Sequence, residues 1–117
     1  MMSQFIIYHN PRCSKSRQTL QLLEDNNISP EIILYLDTPP SIKALQQILK
    51  KLDISPRQLL RKGEDAYKAN NLADQSLGDD ELLAAMVAYP KLIERPIVVK
   101  GAQAVLGRPP ENVLELL

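Results

Sequence analysis

The sequence predicts an α/β protein in which a βαβ unit and a ββα unit build one small mixed sheet, with a set of helices inserted between them. Three observations carry this. Apolar runs at 4–8 and 31–35 flank a segment whose leucines recur at helical spacing. Between about 41 and 88 the chain shows helical periodicity and helix punctuation throughout. After Arg95-Pro96, two short runs rich in branched residues flank Lys100-Gly101 and lead into a last amphipathic segment.

The elements follow in order. Residues 4–8, including Phe5-Ile6-Ile7-Tyr8, read as a first strand, and His9-Asn10-Pro11-Arg12 interrupts it. A helix runs from Ser14 to about Asn26 with Leu20 and Leu23 one turn apart on its core face, and Asn26-Asn27 stops it. Pro30 introduces the second strand, 31–35; a strand, helix and strand of these lengths make a parallel pair. Thr38-Pro39-Pro40-Ser41 opens a helix in which Ile42, Leu45, Ile48, Leu49 and Leu52 recur at helical spacing. Ser55-Pro56 is a cap followed by proline at the first helical position, starting a short helix that ends near Leu60-Arg61. Residues 63–70 hold another turn or two. Gly78-Asp79 begins a helix that turns Leu82, Leu83, Met86 and Val87 inward until Tyr89-Pro90 ends it.

The second half of the sheet is simpler. Ile97-Val98-Val99, the turn Lys100-Gly101 and Ala104-Val105-Leu106 form an antiparallel hairpin. Arg108-Pro109-Pro110-Glu111 then leads into a final helix with Val113, Leu114 and Leu117 on its apolar side. No repeat, low-complexity tract or linker divides the 117 residues, so the expectation is a single domain, 1–117, with a helical insertion at about 41–88.

Composition excludes several classes. Hydrophobic residues make up 44% and charged residues 24%, the balance of a globular protein and not of a disordered one. Lys and Arg equal Asp and Glu at 14 each, so nothing in the bulk charge draws the chain to nucleic acid or a membrane surface. No apolar stretch approaches the roughly 20 residues of a membrane span. Met1-Met2-Ser3-Gln4 shows neither the basic nor the apolar region of a secretion leader, so a cytoplasmic protein is expected. Nothing in the pattern demands more than a monomer.

Cys13 is the only cysteine, and it stands where the first strand breaks into the first helix. A thiol there meets the unpaired N–H groups and the positive end of the helix, with Arg12, Lys15 and Arg17 close in sequence. Such surroundings favour the thiolate, which is the nucleophile. A free cysteine more commonly serves as a small buried residue, but those lie in apolar runs, whereas this one is flanked by His, Asn, Pro, Arg, Ser and Lys.

A cysteine at the first strand-helix junction, followed after a crossover by a proline-led hairpin and a last helix, is the arrangement of thioredoxin-like folds. That fold places a cis proline just before its third strand, facing the cysteine, and Pro96 stands at that position, so a cis Arg95–Pro96 bond is expected. Its redox members carry C-x-x-C. Here the partner position is Ser16, so electrons must come from an outside thiol. A tyrosine-phosphatase-type loop is excluded, because it needs an arginine where Thr19 stands. A single histidine beside a single cysteine also lacks the ligand set of a structural zinc site, and no metal is expected.

Four segments carry a more specific resemblance: the cysteine loop from Tyr8 to Arg17, Leu59-Leu60-Arg61-Lys62, Glu94-Arg95-Pro96-Ile97-Val98-Val99 and Gly107-Arg108-Pro109-Pro110-Glu111. In order and spacing the chain resembles the glutaredoxin-coupled arsenate reductase family, the ArsC type. The resemblance implies a thioredoxin-like fold and reduction of arsenate to arsenite, with glutathione as co-substrate, glutaredoxin as partner and no bound cofactor. It makes Cys13 the nucleophile, gives Arg61, Arg95 and Arg108 the oxyanion, and assigns His9, Ser16 and Arg17 to the support of the thiolate. A tetrahedral oxyanion suits planar guanidinium forks and the N–H groups of a helix start. The three arginines are expected to converge on Cys13 from 48, 82 and 95 residues away. Arg57 reads as a solvated surface charge.

The chain departs from the arsenic-resistance members in two ways. It has Cys13-Ser14-Lys15-Ser16-Arg17 where they typically have Cys-Gly-Thr-Ser-Arg, and it ends soon after Glu111. It is therefore similar to the shorter, chromosomally encoded branch. The competing readings are a glutathione-dependent reductase or deglutathionylating enzyme acting on another substrate, and a regulatory protein of the Spx type, whose sensing cysteine pair Ser16 removes.

Overall fold

The computed structural model describes residues 4–117, so the reading of Met1-Met2-Ser3 lies outside the described residues. The chain divides into two compact units. One comprises the chain through Thr38 together with Arg95–Leu117, and the other is Pro39–Glu94, which contains the expected insertion.

The first unit holds β1 (Phe5–Tyr8), α1 (Ser14–Asp25), β2 (Glu31–Ile33), β3 (Ile97–Lys100), β4 (Gln103–Leu106) and a 3₁₀ helix, Pro110–Leu116. The sheet order is β2-β1-β3-β4. β1 pairs with β2 in parallel, Ile7 opposite Ile32, and with β3 antiparallel, Ile7 opposite Val98; β3 and β4 are antiparallel, Val98 opposite Val105. This mixed sheet is the expected thioredoxin-like arrangement. Ile97, Val98 and Val99 are all buried, as suits a central strand covered on both faces. On one face Ile7, Leu23, Val98, Val113 and Leu116 form a core to which Phe5, Leu20 and Val105 add partly buried surface. Five side chains of that size, each contributing roughly 1.5–3 kcal/mol on burial, hold α1 and the 3₁₀ helix to the sheet.

Three details of this unit differ from the sequence reading. β2 stops at Ile33 and not at Tyr35, because the Leu34 carbonyl accepts the N–H groups of Asp37 and Thr38, at 3.0 and 2.9 Å, and turns the chain. Of the apolar run only Tyr35 is deeply buried; Ile32 and Leu34 are 47% and 39% exposed, since β2 is an edge strand with β1 as its one neighbour. The last element is a 3₁₀ helix, whose side chains three apart line up. That period buries Pro110, Val113 and Leu116 and leaves the expected core residues Leu114 and Leu117 in solvent.

Local chemistry fixes the junctions. The Arg95–Pro96 bond is cis as expected, and Arg108–Pro109 is cis as well. Gly101 turns the hairpin at φ 59°, where a residue with a Cβ is disfavoured. Lys100 donates to the Leu116 carbonyl at 2.9 Å while its ammonium lies 5.2 Å from the centre of the Phe5 ring.

The second unit is helical: α2 (Ile42–Leu52), α3 (Pro56–Leu59), α4 (Asp65–Ala69), α5 (Asp79–Ala88) and a 3₁₀ turn, Pro90–Leu92, that the sequence reading did not separate from the helix stop. The Ser41 hydroxyl caps α2 by accepting from Ala44 N–H, and Asp53 closes it in the left-handed region. Leu45, Ile48 and Leu49 are buried as expected, but Ile42 is 40% exposed. Helical side chains lean toward the N-terminus, and at the first helical position no preceding turn lies there to cover one. Ser55 and Gln58 make a reciprocal capping box on α3. Asp79, Asp80 and Glu81 place negative charge on the first turn of α5. Arg57 is no solvated charge: it donates to the carbonyls of Leu72 and Asp74 at 2.8 and 3.0 Å and clasps the loop between α4 and α5.

Candidate active site

β1 delivers the chain to the cysteine loop, and one backbone bond extends its pairing: His9 N–H donates to the Ile33 carbonyl at 2.8 Å. The chain then turns tightly. Asn10 organises the turn by accepting Cys13 N–H on its carbonyl and Arg12 N–H on its side-chain oxygen, both at 3.0 Å. Cys13 is thereby set as the N-cap of α1, half-buried, with no acidic residue in the first helical turn to oppose a thiolate.

Ser16, fully buried on the inner face of α1, ties the loop to the helix. Its Oγ accepts from Asn10 N–H at 3.0 Å and lies 2.7 Å from His9 Nδ1. His9 is itself buried, and burial first, then the charge of Arg17, hold its pKa below the ordinary histidine range. It is therefore neutral near pH 7, suited to hold Ser16 and not to supply positive charge. Arg17 donates to the Pro11 carbonyl at 2.8 Å and braces the outside of the same loop.

Burial, the largest single influence, pushes the Cys13 thiol up, but four smaller ones together outweigh it and bring its pKa below the ordinary thiol value: the Ser16 N–H, the charge of Arg95, the Lys15 N–H and a hydrogen bond from the Arg95 side chain. Arg95, 82 residues away in sequence, is thus a cation whose charge acts on Cys13, and Lys15 contributes through its backbone amide.

Cys13, His9, Ser16, Arg17, Arg95 and Arg108 all belong to the first unit. Arg108 is exposed in the turn after β4, between Gly107 and the cis bond to Pro109, and its carbonyl accepts from Asn112 Nδ2 at 3.2 Å. Arg61 is carried by the second unit, where it lies 3.7 Å from Glu64 and 3.5 Å from Glu94 and donates to the Lys91 carbonyl at 3.4 Å. A surface cleft of about 610 Å³ in that unit, bordered by Lys50, Asp53, Ser55, Asp79 and Asp80, includes none of the predicted site residues. Among the described residues no three His, Cys, Asp or Glu side chains stand together as a metal ligand set.

The sequence reading gave no role to Asn10, Thr19 or Gly107. Asn10 makes three of the bonds that shape the loop. Thr19 is a fully buried polar side chain on the face of α1 that also buries Ser16 and Leu23. Polar residues at core spacing on a helix were the available signal for both Ser16 and Thr19.

The model of the ArsC family matches residues 8–116. The chain is 55% identical to the uncharacterized protein YfgD of Escherichia coli, over all of this chain and 99% of that one. It is 52% identical to an arsenate reductase of Haemophilus influenzae, over 96% and 97% of the two chains. The solved structure of an arsenate reductase from Vibrio cholerae superposes with a TM-score of 0.96 at 52% identity, covering both chains completely.

Proposed function

The chain belongs to the ArsC family, and on that premise we propose that it is an arsenate reductase working through the Cys13 thiolate with electrons from glutathione and glutaredoxin. The observation that carries the reading is the joint action of the α1 amides and Arg95 on one half-buried sulfur. A site that stabilises a thiolate with N–H groups and a guanidinium also suits an incoming oxyanion.

The chemistry follows from that sulfur. The Cys13 thiolate attacks arsenic, an As–O bond breaks, and the oxygen leaves as water after protonation, giving a thiolate-bound As(V) adduct. Arg95, Arg108 and Arg61 offset the negative charge of the remaining oxygens. Glutathione adds a second As–S bond with loss of another water. A glutaredoxin thiolate then takes the glutathionyl sulfur as a mixed disulfide, and the pair of the broken As–S bond stays on arsenic, reducing it to As(III). Water cleaves the Cys13–As bond, releasing arsenite and the free thiol. The sum is one arsenate and two thiols converted to one arsenite, one disulfide and one water.

His9, Ser16 and Arg17 hold the loop in the geometry that this attack needs, and the whole chain acts as one domain and as a monomer. A dependence on free thiols places the reaction in a reducing compartment, the cytoplasm. No helix among the described residues is long and apolar enough to cross a membrane. The test is arsenate-dependent NADPH consumption with glutathione, glutaredoxin and glutathione reductase. The parent should turn over and Cys13→Ser should not; a parent that reduces no arsenate overturns the reading.

A further inference from the structure

The side chain of Thr19 is fully buried six residues beyond Cys13 on α1. Its hydroxyl donates to the Lys15 carbonyl at 2.8 Å and also faces the Gly107 carbonyl at 3.4 Å. Gly107 presses against it so closely that a Cβ there would overlap the Thr19 hydroxyl and methyl and come within 2.8 Å of Pro96 Cγ. Gly107 also donates its N–H to the Pro96 carbonyl at 2.9 Å. Three segments therefore meet at one point: the helix capped by Cys13, the bond following Arg95, and the residue preceding Arg108.

A buried hydroxyl at a helical core position is a costly choice unless it is bonded, and an apolar residue of the same shape avoids the cost. Gly107 has no positive φ to explain its lack of a side chain, so the close approach explains it. We propose that Thr19 and Gly107 are positioning residues, whose contact sets Arg95 and Arg108 relative to the Cys13 sulfur. The inference rests on the reading of those arginines as the oxyanion site. Protein interiors do not yield to a displaced backbone without cost, and a shift of about 1 Å in a reacting group slows an enzyme on the order of a hundredfold.

The test uses the full chain and the variants Gly107→Ala, Thr19→Val and Thr19→Ser. Thermal midpoint, the pH profile of Cys13 alkylation by iodoacetamide, and kcat and KM for arsenate are measured for each. Gly107→Ala and Thr19→Val should lower the alkylation rate at pH 7 about three- to tenfold by moving the inflection upward, and should raise KM for arsenate. Thr19→Ser keeps the hydroxyl and should remain within about twofold of the parent. If Gly107→Ala does not fold, the contrast between Thr19→Val and Thr19→Ser decides. Folded Thr19→Val with the parent's alkylation profile and KM, altered only in its thermal midpoint, overturns the inference, as does a serine variant as impaired as the valine one. Alkylation requires no arsenate, so a parent that fails to reduce arsenate sinks the functional reading while the profiles still decide this one.

Discussion

The Nδ1 atom of His9 lies 2.7 Å from the Oγ of Ser16, both side chains being buried, so the end of the strand and the first turn of the helix are joined across the cysteine loop. Ser16 stands where a redox pair would have its second sulfur. Its hydroxyl serves architecture in place of electron transfer.

Replacing Ser16 with Ala strands the Asn10 N–H and His9 Nδ1 together. Leaving such groups without partners costs about 1–3 kcal/mol, to be read from urea unfolding at pH 7.5. The alkylation inflection of Cys13 should rise in the same variant. A Ser16→Ala protein as stable as the parent would show that water takes over the hydroxyl's bonds.

His9 makes stability fall on acidification. Its pKa is lowered by burial and then by Arg17, so as pH falls the unfolded chain takes up the proton first. The contribution is complete above the unfolded value of about 6.5 and is lost as pH drops through the lower folded value. Urea midpoints between pH 7.5 and 5 should decline more steeply for the parent than for His9→Gln. Parallel declines would assign the acid sensitivity to other groups.

Alkylation of Cys13 should show its inflection below the reference value of about 8.5. Arg95→Ala should move it upward, with Arg95→Lys intermediate because a point charge keeps the attraction and loses the fork. Oxidised glutathione should add one glutathione to the parent, by mass spectrometry, and none to Cys13→Ser. An unshifted inflection in Arg95→Ala contradicts the account of the thiolate.

Arg61→Ala and Arg108→Ala should each raise KM for arsenate roughly tenfold or more, about 1.4 kcal/mol of lost binding, with only partial recovery on substitution by Lys. Glu94→Gln removes one of the two carboxylates beside Arg61 and should shift KM in the opposite direction. Arsenate kinetics unchanged in both alanine variants would remove these arginines from the site.

The period of the last 3₁₀ helix separates two leucines of similar sequence context. Leu116→Ala should cost about 2–4 kcal/mol in chemical unfolding, while exposed Leu114→Ala should stay within about 0.5 kcal/mol. Equal costs would mean that the segment packs as an α-helix in solution.

Much of this molecule could be read before its coordinates. The start of α1 at Ser14 and the capped starts at Ser41 and Ser55 follow from residues whose local chemistry decides the backbone, and the cis bond before β3 followed from the likeness to thioredoxin-like folds. What escaped was decided by backbone bonding and winding that residue type alone does not specify. Tyr35 is apolar and β-prone, yet a turn on the Leu34 carbonyl ends the strand before it. Leu114 and Leu117 fit an α-helical stripe, and only the 3₁₀ winding turns them outward. Arg57 looks like any surface charge until the carbonyls of Leu72 and Asp74 are seen to converge on it. In the cysteine loop, periodicity and spacing pointed only to the cations nearest in sequence, and it was the family resemblance that named Arg95, whose charge acts on the thiolate from just before β3.

Lys100 holds the Leu116 carbonyl with its ammonium while it covers the Phe5 ring, so the first strand and the last helical turn share one fastening. Fraying at either extremity of the unit therefore slackens the other. Amide protons of β1 and of the C-terminal 3₁₀ helix should exchange with solvent in step, and Lys100→Met should accelerate both together while leaving the amides of α2 at their original rates.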